Sequence, residues 1–117
     1  MARRIEKNAF DDFVQVDNLP GEGRYKATVA GFREQDRMTK VVTFNPENID
    51  NPEEQYTSIR AYLNKRYKAG DLTASFMKVF NKPKTEEDVL GKQCYIEVEY
   101  RGSEDKPYLT VTEIESI

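Results

Sequence analysis

Between Tyr56 and Lys68 the chain places three tyrosines and four cations within a short stretch: Tyr56, Arg60, Tyr62, Lys65, Arg66, Tyr67 and Lys68. No acid falls between residues 60 and 68. Lysine and arginine neutralise phosphates, and tyrosine rings offer flat faces on which any base can stack, each stack being worth roughly 1–3 kcal/mol. A sequence-tolerant binder of single-stranded nucleic acid needs these two ingredients side by side. On a strand, Tyr56, Arg60 and Tyr62 would share one face, because even numbers of residues separate them. Lys40 on a preceding strand, with Arg33 and Arg37 in the hairpin before it, would flank the same groove. The plainer reading of these residues is equally physical: strand tyrosines are often half-core residues with a wet hydroxyl, and Lys/Arg runs are usually solvated faces.

Other chemistries lack their reagents. The chain has no histidine, hence neither the usual general base nor the commonest transition-metal ligand. Its one cysteine, Cys94, has no histidine to activate it and no second cysteine with which to form an internal disulfide or a zinc site. It reads as a small buried hydrophobe. No acidic run has calcium-loop spacing, and no glycine-rich phosphate loop is present. The expectation is a protein without catalysis, metal or cofactor. There is no apolar run long enough to span a membrane and no signal-peptide pattern, so a cytoplasmic location is expected by default.

Charge is unevenly distributed along the 117 residues, whose net charge is -3. Residues 24 to 84 hold twelve Lys/Arg against seven Asp/Glu, whereas residues 85 to 117 hold three against nine. The acidic last third, with Glu97 and Glu99 on one strand face and Glu113 and Glu115 near the end, is expected to face solvent. It would repel nucleic acid or serve as a protein-docking surface.

The elements that must position these groups follow from periodicity. Residues 1–18, which include Phe10 and Phe13, read as an entry arm, and residues 19–117 read as one domain. Tyr25, Ala27 and Val29 alternate with polar residues as a first strand, and Gly31 marks a bulge or bend. Residues 33–39 suit a hairpin connection, and Lys40–Phe44 a second strand ending at Asn45-Pro46. Residues 47–54 read as a loop. Residues 56–63 alternate as a third strand, although Ile59 to Tyr67 can also be drawn as a helix. Asp71 is a good N-cap for a short amphipathic helix carrying Leu72, Phe76, Val79 and Phe80, which Asn81-Lys82-Pro83 terminates. A turn closing on Gly91 leads into a fourth strand with Cys94, Ile96, Val98 and Tyr100 inward, and Tyr108–Thr112 form the fifth. Tyr25 and Tyr100 both fall on apolar faces.

Five short strands with one helix cannot make a doubly wound parallel sheet, which needs a helix for each crossover. Closure into a small barrel removes exposed edges, and a helix after the third strand can plug one end. The predicted fold is a mostly β, five-stranded OB-type barrel, with an open α+β sheet as its competitor.

Leu19-Pro20-x-Gly followed by Arg24-Tyr25-Lys26-Ala27-Thr28-Val29, and Val89-Leu90-Gly91-Lys92 leading into Cys94-Tyr95-Ile96-Glu97-Val98, resemble small phage-encoded proteins of uncharacterised or single-stranded-DNA-binding type from replication and recombination regions. The resemblance covers most of residues 19–114, with residues 45–70 departing from it. It implies an OB domain that handles single-stranded DNA as an accessory of phage or mobile-element replication or recombination. Two other classes stay open: a module engaging a replication or recombination protein, and a small virion component. Either is compatible with self-association into a homo-oligomer.

Overall fold

The structure, a computed structural model, describes residues 19–117. The predicted arm, with Phe10 and Phe13, lies outside the described residues. Five strands, β1 (Gly23–Glu34), β2 (Thr39–Pro46), β3 (Ile59–Asn64), β4 (Gln93–Gly102) and β5 (Pro107–Glu115), form one antiparallel sheet in the order β3-β2-β1-β4-β5. Helix α1 (Leu72–Val79) and a 3-10 turn (Glu86–Asp88) fall between β3 and β4. The chain is mostly β with its helix after the third strand, as its periodicities predict. The sheet is not closed into a barrel: among the described residues no ladder joins β3 to β5.

β1 is long because it serves two partners. Gly23 to Thr28 pair with β4, and Ala27 to Glu34 pair with β2. The β2 register shifts between Val29 and Gly31, at the position where alternation breaks in the sequence. An extra residue there reverses which parity faces inward. Ala27 and Val29 are buried before the bulge, and Phe32 packs against the core after it. Opposite the bulge, the Val29 N–H donates to the Lys92 carbonyl and the Gly91 N–H donates to the Val29 carbonyl, each at 2.9 Å. The backbone therefore stays satisfied where the strand bends. β1 also runs on to Glu34, so Arg33 stands on a strand and only residues 35–38 make the turn.

The core lies between the sheet and α1. Phe76 is 1% exposed, its ring stacked on Phe32 at 6.2 Å and set against Phe80 at 4.9 Å. Burying a side chain of this size contributes roughly 1.5–3 kcal/mol. Of the predicted apolar stripe, Phe76 and Phe80 are buried while Leu72 and Val79 are half-buried against the cluster. Asp71 occupies the N-cap position, but its side chain accepts from the Lys68 N–H (2.8 Å) and not from the helix. Asn81 and Lys82 take left-handed φ values of 56° and 50°, and the helix ends there.

Two expectations need correction. β3 starts at Ile59, not at Tyr56. Its last rung is Phe44 to Ile59, beyond which β2 ends in Asn45-Pro46, and a proline has no N–H to offer a ladder. Residues 59–64 are nonetheless a strand and not a helix, with buried and exposed residues alternating without exception. Tyr100, expected inward, is 43% exposed. The β1–β4 ladder ends at Gly23 opposite Val98, so the end of β4 continues as a two-stranded ribbon with β5, where the Tyr100 N–H donates to the Glu22 carboxylate at 2.9 Å. Among the described residues no helix is long and apolar enough to cross a membrane.

Candidate nucleic-acid interface

β3 is an outer strand of the sheet, and its pleat sends Ile59, Ala61 and Leu63 inward and Arg60, Tyr62 and Asn64 outward. The register sets these outward groups beside residues of β2 and β1. Tyr62 pairs with Val41, which pairs with Arg33; Arg60 pairs with Thr43, which pairs with Gly31. Arg33, Arg60 and Tyr62 therefore share one sheet face. Val41, 1% exposed, forms an apolar floor between Tyr62 and Arg33.

This face runs into a groove of about 700 Å³ between β3 and β5, where Arg60 and Tyr62 meet Leu19, Tyr108, Leu109 and Thr110. Tyr62 is 50% exposed and Tyr108 57% exposed. Each ring thus keeps surface open to a ligand while its backbone is held in a ladder. Tyr108 is placed by the β4–β5 hairpin. Gly102 adopts φ +92°, and a Cβ there would lie 3.0 Å from the Tyr108 ring and 2.6 Å from the Lys106 carbonyl oxygen. A side chain larger than hydrogen cannot sit there with Tyr108 where it is.

The sheet's two halves differ in how their arginines are employed. On β1 and β4, Arg24 pairs with Glu115 at 3.0 Å and covers the Tyr95 ring at 4.6 Å, and Arg101 pairs with Glu99 at 2.9 Å. Neither Arg33 nor Arg60 has a carboxylate partner among the described residues. The acidic side is crowded enough that Glu97, paired across the ladder with Glu113, pushes the Glu113 carboxyl above its ordinary range. Phosphates would find free cations by the groove and repulsion on the far side of the sheet.

The remaining predicted residues do not join this face. Tyr56 lies in the loop before β3, half-buried, its ring edge-on to Tyr25 at 5.7 Å. Tyr25 packs on the core and donates its hydroxyl to the Gly21 carbonyl. Lys40 has the parity of Val42 and Phe44, so it points to the opposite side of the sheet, with its ammonium 5.4 Å from the Phe32 ring centre. Lys65 is ion-paired with Glu34, and Lys40, Lys65 and Tyr67 border a separate cavity beside α1. Arg66 and Lys68 are exposed in the loop after β3, where their N–H groups are bound by Asn64 and Asp71. Arg37 is exposed at the β1–β2 turn, which Asp36 fixes by accepting from the Met38 N–H at 2.8 Å.

The cluster that is contiguous in sequence therefore divides in space. Tyr108 is absent from the residues that sequence selects, and local pattern gives no reason to choose it. Strand order puts β3 and β5 at opposite ends of the ladder, and only the approach of those two ends around one groove makes it a neighbour of Tyr62. Cys94 is fully buried, and burial pushes its thiol up to about 12. A comparison with models of known protein families and with curated proteins gives no match to this chain.

Proposed function

We propose that this protein binds single-stranded DNA without sequence preference and without catalysis, as an accessory of phage or mobile-element replication or recombination. On this reading the sheet is an OB-type barrel with an open seam, and the nucleotide chain enters where β3 and β5 approach. The strand order supports it: β3 and β5, the two ends of the ladder, line one groove, as the outer strands of a partly open five-stranded barrel would. The observation that carries the proposal is the meeting of Tyr62, Tyr108 and the unpaired Arg60 in that groove. Two exposed rings supply stacking platforms, and Arg60 with Arg33 supplies charge for the backbone.

The test is a fluorescence titration of labelled oligothymidylate at increasing salt. Binding at low salt that weakens steadily as salt rises is expected, with a slope near 0.7 for each phosphate neutralised. Absence of binding at low salt defeats the proposal. A duplex of the same length should bind more weakly, because its bases are not free to stack.

A further inference from the structure

On the other side of the sheet, a cavity of about 400 Å³ opens between α1 and the ends of β1, β2 and β3. Phe32, Leu63, Phe76 and Met77 form its walls. Lys40, Lys65 and Lys84 stand among its lining residues, and no carboxylate does. Lys65 is already engaged by Glu34. Among the described residues, Lys40 and Lys84 have no such partner. Lys40 lies near the Phe32 ring, so one cation is held at the boundary between the apolar wall and the opening.

We propose that this cavity is a second binding site, for a small amphipathic anion: a flat apolar body bearing a single carboxylate or sulfonate. Its volume lies within the range of small-molecule sites, about 300–1,000 Å³. The aromatic and thioether walls suit a ring system, since sulfur and ring faces pack well against aromatic edges. Lys84 and Lys40 at the rim, Lys40 facing Glu34 across the ladder without an ion pair to it, select a negative head over a neutral one, and their reach along flexible stems leaves its position adjustable. The site is independent of the DNA groove, sharing with it none of the residues that line either cavity.

Two dyes of matched shape test it on the whole protein. Anilinonaphthalene sulfonate carries the anion, and phenylnaphthylamine is its neutral counterpart. Saturable binding of one sulfonate per chain is expected, with the neutral dye weaker by about fivefold or more, as is the sulfonate on Lys40→Gln/Lys84→Gln. In wild-type protein labelled at methionine methyl groups, the Met77 signal should shift on adding the sulfonate while Met38 stays in place. Saturating oligothymidylate should leave the dye bound. Equal affinity for both dyes, a stationary Met77 signal, or displacement of the dye by DNA would each overturn the proposal.

Discussion

Tyr62 on β3 and Tyr108 on β5 line one groove, although no ladder bond connects their strands and 46 positions separate them in the chain. If successive bases stack on the two rings, Tyr62→Ala and Tyr108→Ala should each weaken oligothymidylate binding by roughly 1–3 kcal/mol. Arg33→Gln and Arg60→Gln should instead flatten the salt dependence, by about 0.7 in slope for each phosphate left without its cation. Affinity titrations of the four single variants at two salt concentrations separate stacking from charge. Unchanged affinity in Tyr108→Ala would remove β5 from the interface.

The extent to which sequence discloses this arrangement varies with the range of the interaction. α1 is legible close to its observed bounds, because a short amphipathic helix declares itself through local spacing and an N-cap residue. The bulge near Gly31 and the β4 alternation are legible for the same reason. Tyr56 falls outside its expected strand because the end of β3 is decided by its partner, where β2 runs into Pro46. Lys40 stands on the face opposite to the expected one because parity along β2 has to be referred to Val42 and Phe44. Both are inward, yet Val41, just before Val42, is also buried. Two adjacent buried valines hide the alternation that would orient Lys40. Tyr108 depends on the approach of the sheet's two edge strands, which no local pattern records.

The Glu97–Glu113 pair predicts a pH dependence of stability with a definite sign. Glu97 raises the Glu113 carboxyl above its ordinary range, with Arg24 offsetting this only in part. A carboxyl raised in the folded state favours folding at low pH, and that advantage is lost as pH rises through its folded value. Once ionised, Glu113 faces the Glu97 side chain directly across the ladder, and the repulsion between them weakens the fold. Glu113→Gln should therefore raise the melting temperature near neutral pH and lose this advantage in acid. Glu34, held low by Lys65, and Asp88, held low by the Lys84 and Thr85 N–H groups, act in the opposite sense, and their contribution falls away as pH drops. Thermal melts of both proteins across the acidic range check the crossing; parallel curves would contradict the pairing.

Cys94 should be inert in the folded protein. Its side chain is fully buried among apolar neighbours, and with the thiol at about 12 almost no thiolate forms near neutral pH. A thiol reagent should label it only at the rate of unfolding, and denaturant should bring labelling to completion. Cys94→Ser would leave a hydroxyl at a site without a described partner, costing about 1–3 kcal/mol. Fast labelling under native conditions would mean that the β1–β4 region opens far more readily than its packing implies.

Gly102 links hairpin geometry to the groove. Its φ of +92° is strained for any residue with a side chain, and an added Cβ would lie 2.6 Å from the Lys106 carbonyl oxygen and 3.0 Å from the Tyr108 ring. Holding this positive-φ conformation costs an L-residue about 1–2 kcal/mol before any clash is counted. Gly102→Ala should therefore lower stability by at least about 1 kcal/mol in denaturant titrations. Because the obstructed ring is Tyr108, the same substitution should also weaken oligothymidylate binding under conditions where the variant is fully folded. The neighbouring Ser103 caps the same turn by accepting from the Lys106 N–H, so Ser103→Ala should shift stability slightly and leave the affinity where it was. A Gly102→Ala protein that loses stability yet binds normally would show that Tyr108 does not need its present position, and the groove would then have to work through Tyr62 and Arg60 alone.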